Sequence, residues 1–230
     1  MKWLATLALA LIGGFAGAAL WTFMGFGDEA TRRYLMANPE VLPRAMEVLE
    51  QRERLARIAP VRDQLELPFP GAILGNPNGT VTLVEFSDYA CGYCRQSVAD
   101  VARLVAANPD LRVVVREYPI LRPESADAAR MALAAAQQGK YEAFHQAMFD
   151  LGTPSAETIE AAAVRAGVDL ATARAAIDRG SFDPYLQANH QLAATIGISG
   201  TPGWVIGDQV IDGAVGHEAL ASAIEEARGS

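Results

Sequence analysis

The sequence predicts an α/β domain with an inserted helical subdomain, preceded by a membrane anchor and a helical stalk. Three observations predict it. A strand, a helix and a second strand follow one another between residues 81 and 118; the pattern from 123 to 196 is almost wholly helical; and two short strands and a last helix come after Pro202. The order gives three domains: 1–27 as anchor, 28–68 as stalk, and 69–230 as the α/β domain with its insertion at about 123–196.

From Leu4 to Phe26 the chain carries no charge and is mostly apolar. A spanning helix needs about 20 apolar residues and a signal-peptide core about 7–15, so residues 4–26 are long enough to span. Trp3 and Trp21 sit near the two ends, where interfacial aromatics belong. The reading is an uncleaved anchor with the C-terminal body exported. Ala16-Gly17-Ala18 resembles a cleavage site, so a cleaved signal peptide is the alternative. Arg32 and Arg33 follow the run and only Lys2 precedes it, so charge does not fix the orientation.

Residues 29–57 predict two helices ending near Ile58-Ala59-Pro60. Leu35, Leu42, Met46, Leu49 and Ala56 recur at helical spacing. Asn38-Pro39 reads as an N-cap followed by proline in the first turn, and Pro43 should kink that helix or delay its start. The apolar stripe is too narrow to form a core alone. It packs on the next domain, joins copies of itself in a homo-oligomer through residues 28–60, or serves as a solvated spacer. Residues 65–77, with Pro68, Pro70, Gly71, Gly75 and Pro77, read as a connector.

Val81 to Ser87 is β-branched or aromatic in alternation, which predicts a buried strand. Val98, Val101, Leu104 and Val105 give helical periodicity over 91–107, closed by Asn108-Pro109, and Leu111 to Tyr118 is a second strand. Such a unit of about forty residues suits a parallel pair. The insertion divides into helices at 125–138, 140–151, 155–166 and 170–179, with Thr153 and Ser155 as caps before the third. Strands at 204–206 and 209–211 flank the turn Gly207-Asp208, and 216–227 is the final helix.

The formal net charge is −8 and no basic stripe exists, which excludes a nucleic-acid partner. The two cysteines, Cys91 and Cys94, lie three residues apart. Disulfide staples would be spread along the chain, and a structural zinc site needs about four ligands that this sequence does not offer. His145, His190 and His217 show no ligand spacing, so no metal site is expected. A strand ending at Ser87 puts Cys91 at a helix N-terminus, where unpaired N–H groups and the dipole stabilise an anion. Such a cysteine is a competent thiolate at neutral pH. Cys94, one turn on, faces the same side and can displace whatever Cys91 captures. Two inert buried thiols would not suit a turn made of Gly92 and the large Tyr93.

The run Val84-Glu85-Phe86-Ser87-Asp88-Tyr89-Ala90-Cys91-Gly92-Tyr93-Cys94 resembles the active-site segment of the DsbA-like branch of the thioredoxin superfamily. Thr201-Pro202 matches that superfamily's cis-proline loop, and 123–196 matches the helical insertion in place and length. The resemblance covers about Gly71 to Arg228. It implies a thioredoxin fold and a protein disulfide oxidoreductase whose redox-active disulfide, Cys91–Cys94, needs no further cofactor. It further implies that Pro202 is cis and turns the Thr201 backbone toward the sulfurs to pair with substrate. Tyr93, Thr201 and Pro202 would then meet the substrate, with Gly92 in the active-site turn. Glu85 would sit buried beneath the site and shuttle the proton of Cys94.

Gly92-Tyr93 with threonine before the proline is similar to the isomerases DsbC and DsbG. Residues 29–58, with Asn38-Pro39-Glu40-Val41-Leu42, are similar to the N-terminal helical region of ScsC-like proteins, which drives oligomerisation in a group associated with copper stress. Pro43 departs from an unbroken helix there. The resemblance implies cysteine-containing exported proteins and a membrane redox partner as partners, and a periplasmic location. Two other readings remain: Cys91 and Cys94 hold Cu(I), which soft thiolates select, or the chain keeps other thiols reduced.

Overall fold

The computed structural model describes residues 2–23 and 26–229. The chain divides into two compact units, Met1–Arg52 and Glu53–Ser230. The first holds α1 (Lys2–Phe23), α2 (Phe26–Ala37) and most of α3 (Val41–Ile58). Asn38 closes α2 instead of capping the next helix: its backbone and side-chain N–H groups both donate to Tyr34 O at 2.9 Å. Pro43 falls in the first turn of α3, where an N–H would have no intrahelical partner. The start is therefore delayed to Val41, and the helix is recorded as one element to Ile58.

Of the expected anchor, residues 24 and 25 and the side chains at 4–6, 8, 9, 22 and 26 lie outside the described residues. Among the described residues no helix is long and apolar enough to cross a membrane. The expected anchor at 4–26 therefore gains no support from the described residues.

The second unit is built on a five-stranded sheet in the order β1-β3-β2-β4-β5, with β1 (Ile73–Gly75), β2 (Val81–Ser87), β3 (Leu111–Glu117), β4 (Gly203–Ile206) and β5 (Gln209–Asp212). β2 and β3 run parallel, joined by α5 (Gly92–Ala107) as the sequence pattern requires; the other pairs are antiparallel. β1 is absent from the sequence expectation. It is three residues long and flanked by Pro70, Gly71 and Pro77, so its strand character comes from pairing with β3 and not from local propensity. Its glycine is required: Gly75 has φ +77°, and a Cβ there would lie 2.8 Å from Leu111 O.

The pleat sorts the strand residues by face. Leu83 of β2, with Val113 and Val115 of β3, joins a core shared with α5, α6 (Pro123–Gln137), α7 (Tyr141–Leu151), α8 (Ala156–Arg165), α9 (Leu170–Asp178) and α11 (Gly216–Arg228). Val84, Phe86 and Val114 join a smaller core with Ile58, Leu65 of α4 (Arg62–Glu66), and Leu192 and Ile196 of α10 (Asp183–Ile196). Ser155 caps α8 in a reciprocal box with Thr158. Alternation therefore decides which face each polar strand residue enters. Glu85 and Glu117 share parity with the larger core, and Arg116 with the smaller one.

Candidate active site

The site forms where β2 ends and α5 begins. Asp88, buried just past β2, holds two loops together. Its Oδ1 accepts from Ala90 N at 2.8 Å, and its Oδ2 accepts from Ile120 N and Leu121 N at 2.8 and 2.9 Å. Its backbone oxygen receives Cys91 N at 2.9 Å. With the turn fixed this way, Cys91 becomes the N-cap of α5, and its Sγ accepts from Cys94 N at 3.2 Å. Both cysteines are free thiols. Cys94 is wholly buried, whereas Cys91 keeps a trace of exposure.

The two sulfurs are driven apart in acidity. Cys91 is lowered to about 5, chiefly by the hydrogen bond from the Cys94 side chain, against the cost of burial, with help from Thr201 and from the backbone of Cys94 and Tyr93. Cys94 is pushed strongly up, because its proton serves that same hydrogen bond and because it is buried near Glu85. One sulfur is thus a thiolate at neutral pH and the other keeps its proton.

The Thr201–Pro202 peptide bond is cis. The loop lies against the nucleophile, with Cys91 Sγ 3.2 Å from Thr201 O, a bond that only the protonated thiol donates. The next residue, Gly203, pairs with Phe86 across β2 and β4, and a Cβ there would lie 2.7 Å from Ile198 Cγ2. Gly203 therefore leaves room for the Ile198 side chain beside the start of β4. Gly92 and Tyr93 occupy the first turn of α5; a Cβ at Gly92 would meet nothing within 4 Å, and Tyr93 is 64 % exposed. The surface beside Cys91 is thus open on one side and aromatic on the other.

Glu85 is buried in mid-strand, opposite Val115 and Trp204. Its carboxyl is raised to about 8, first by burial, with Ser87 working the other way and Cys91 adding to the rise. Cys91, Cys94, Thr201 and Glu85 thus form one electrostatic unit. His190 lies elsewhere, its ring 4.9 Å from that of Tyr118.

The sequence reading misses a second buried carboxyl. Glu117 sits at the end of β3 in register with Ser87. Tyr141 Oη donates to its Oε1 at 2.7 Å and Tyr89 Oη at 3.1 Å, and Tyr89 Oη also lies 3.1 Å from His145 Nδ1. Burial raises Glu117 to about 8 and lowers His145 to about 4, so both are neutral at pH 7. The signal was present: Leu111, Val113, Val115 and Glu117 share one face of a strand.

These shifts predict a pH-dependent stability. Glu85 and Glu117 have ordinary values of 4.5 and folded values near 8. Their contribution is therefore whole below about 4.5 and is lost as pH rises through 8. Cys91, with an ordinary value of 9.0 and a folded value near 5, runs the other way: its contribution is present above 9 and lost as pH falls through 5. His145, lowered from 6.5 to about 4, adds stability as pH rises from 4 to 6.5. Urea unfolding should therefore show the dithiol form about level from pH 5 to 6.5 and losing stability from 6.5 to 8, and the disulfide form losing stability from about pH 5 to 8 throughout because it has no thiolate. A disulfide form equally stable across that range would contradict these assignments.

Among the described residues no group of three or more His, Cys, Asp or Glu side chains is placed to hold a metal ion. The model for the DSBA-like thioredoxin domain matches residues 82–225, more than half of the chain, and includes Glu85, Cys91, Cys94, Glu117, Thr201 and Pro202. The chain belongs to the DSBA-like thioredoxin domain family. Residues 29–56 match a second model, the copper resistance protein ScsC N-terminal domain. The DsbA-like assignment carries with it a mixed α/β thioredoxin-like fold and thiol–disulfide oxidoreductase activity as the family's class.

Solved structures agree. A thioredoxin-like oxidoreductase from Silicibacter pomeroyi is 40 % identical, with a TM-score of 0.69 over 74 % of this chain and 98 % of that one. A linker-deletion mutant of Proteus mirabilis ScsC is 25 % identical, with a TM-score of 0.68 over 86 % and 92 %. A periplasmic thioredoxin-like protein from Salmonella enterica serovar Typhimurium is 27 % identical, with a TM-score of 0.64 over 74 % and 97 %. Among curated proteins, a Na(+)/H(+) antiporter NhaA 1 of Mycobacterium is 38 % identical over 72 residues, and the chain spans 12 % of that protein's length.

Proposed function

We propose that this chain forms and rearranges disulfides in exported proteins of the periplasm, using Cys91 and Cys94 as its redox pair. The observation that carries the proposal is the divided acidity of the two sulfurs, with Cys91 lowered to about 5 at the N-cap of α5. A thiolate stabilised in the dithiol form makes the corresponding disulfide more oxidising.

A substrate thiolate attacks Cys91 Sγ of the Cys91–Cys94 disulfide. That bond breaks, and Cys94 leaves and takes its proton from Glu85. A second substrate thiolate then attacks the substrate sulfur of the mixed disulfide, closing the substrate's own bond and expelling Cys91 as a thiolate. A membrane redox partner removes the two electrons to restore the disulfide. In the reverse sense, Cys94 passes its proton to Glu85 and attacks Cys91, releasing a substrate that has not resolved itself. Tyr93, Thr201 and Pro202 line the place where the substrate lies. Residues 4–26 deliver the chain to the membrane, and the likeness to a periplasmic protein supports this location.

A specific observation favours rearrangement alongside oxidation. In α2 and α3, Tyr34, Met36, Leu42, Met46 and Leu49 are all more than half exposed, and residues 29–56 match the ScsC N-terminal domain. Homo-oligomers formed through these helices would hold several sites around one misfolded client.

Equilibration of the full chain with glutathione tests the oxidising reading. The expected reduction potential lies between the about −270 mV of thioredoxin and the about −120 mV of the strongest oxidants. A value at or below thioredoxin's would overturn it in favour of a thiol-reducing role.

A further inference from the structure

The reaction gives no part to Glu117, although this carboxyl is 1 % exposed and ends β3 in register with Ser87, beside the active-site turn. Its Oε1 accepts from two phenols at once, Tyr141 of α7 and Tyr89 of the turn. Tyr89 stands two residues before Cys91. Its single proton goes to Glu117, so His145 completes the cluster through Nδ1–H, the tautomer that lets both bonds form. Burial, and then Glu117, push both phenols well up, so they remain donors at any working pH. We propose that Glu117 is a positioning residue for the redox pair: through Tyr89 it fixes the turn that sets Cys91 Sγ at the N-terminus of α5, and so governs how fully that sulfur is held as a thiolate. The proposal rests on Cys91 being the nucleophile.

The turn has two anchors. Asp88 holds it to the backbone at 120 and 121, and Tyr89 buries its ring in the larger core. That ring packs against Phe144, His145 and Phe149 of α7, with centroids 5.9, 5.6 and 4.9 Å away. Apolar packing is non-directional and leaves a ring free to slide. Hydrogen bonds are directional, so the pair at the hydroxyl end, to Glu117 and His145, sets how deep Tyr89 sits. The position of Cys91 follows from that depth. Its Sγ accepts from Cys94 N at 3.2 Å, and the donors that stabilise the anion all belong to the first turn of α5 or the facing loop. A displaced turn therefore weakens several of them together.

The two phenols separate this role from a purely structural one. Tyr141 begins α7, and its bond to Glu117 holds the helical insertion to the end of β3. Losing Tyr141 Oη loosens the insertion, whereas losing Tyr89 Oη loosens the turn. Glutamine at 117 keeps an acceptor oxygen for both phenols, and leucine removes it.

The test measures alkylation of Cys91 against pH in the reduced full chain, together with each variant's equilibrium with glutathione. Tyr89→Phe and Glu117→Leu should raise the Cys91 midpoint from about 5 to about 6, a tenfold loss of thiolate over thiol. The glutathione equilibrium should shift about tenfold toward the disulfide form, or about 30 mV. Tyr141→Phe should lose stability to urea yet keep its thiolate ratio within about twofold of wild type, and Glu117→Gln should match wild type as closely.

Wild-type midpoints in Tyr89→Phe and Glu117→Leu, with stability lost, would overturn the proposal and leave Glu117 holding the insertion alone. Equal displacements in Tyr141→Phe and Tyr89→Phe would also overturn it, because the effect would then run through α7. A Glu117→Gln midpoint as high as that of Glu117→Leu would contradict the part given to the acceptor oxygen. Should Glu117→Leu fail to fold, Tyr89→Phe, which keeps the ring, decides the matter. A wild-type midpoint near the about 8.5 of a free cysteine would instead defeat the thiolate reading beneath, and this assignment with it.

Discussion

Cys91→Ser is expected to abolish disulfide exchange, and Cys94→Ser to leave a chain that captures a disulfide substrate and releases it only when another thiol attacks the mixed disulfide. With its thiol at about 5, Cys91 carries about a hundred thiolates per thiol at pH 7. Removing it leaves one sulfur, which is wholly buried and holds its proton firmly, so no nucleophile replaces it. Serine does not substitute, because its hydroxyl ionises far above any working pH. Cys94→Ser replaces the thiol donor that contributes most to lowering Cys91 with a hydroxyl donor. Its Cys91 should therefore remain a reactive thiolate at neutral pH and form a mixed disulfide. Non-reducing electrophoresis with a scrambled, disulfide-bonded ribonuclease, one of whose disulfides Cys91 attacks, should show a covalent adduct for Cys94→Ser and none for Cys91→Ser. Full turnover by Cys91→Ser would remove the basis of the mechanism.

Arg116→Met is expected to cost about 3–5 kcal/mol of stability without touching the redox pair. Arg116 is 2 % exposed, and its partners are neutral oxygens. Its guanidinium donates to Leu65 O at 3.2 and 2.9 Å, Leu67 O at 2.6 Å, Tyr185 Oη at 2.9 Å, Asn189 Oδ1 at 3.2 Å, and also to Gln64 O. The cation also lies 5.5 Å from the centre of the Tyr185 ring. Three of those acceptors are carbonyls around the end of α4, which no helical N–H can satisfy. Burial works against the charge and lowers its pKa, so methionine recovers part of the desolvation cost. The orphaned oxygens outweigh that recovery, because each buried unpaired acceptor costs about 1–3 kcal/mol. Lysine should rescue little, since one ammonium cannot reproduce the fork. Urea midpoints compared at constant slope measure the loss; a change under about 1 kcal/mol would show that α4 is held by Leu65 and Ile58 alone.

What the sequence made legible was local. The alternation of Val81 to Ser87 placed Glu85 inward, and the three-residue spacing of the cysteines put Cys91 at the cap and Cys94 one turn inside. What it hid depends on contacts across long separations. β1 exists because Val113 and Val114 lie opposite it. Glu117 meets Tyr89, Tyr141 and, through Tyr89, His145, from positions 24 to 56 residues apart. Arg116 read as one charge in an apolar strand, and its purpose appears only once α4 and α10 cover that face. Asp88 looked like an ordinary turn residue, yet its two oxygens satisfy three backbone donors on two loops. Asn38 was ambiguous for a different reason, since asparagine before proline suits either the end of one helix or the start of the next.

The central claim is that Cys91 is a thiolate at neutral pH because α5 and its neighbours stabilise the anion. Measuring the rate of Cys91 alkylation by iodoacetamide against pH in the reduced full chain tests this directly. A midpoint near 5 is predicted. A midpoint near the about 8.5 of an unperturbed cysteine would contradict the account.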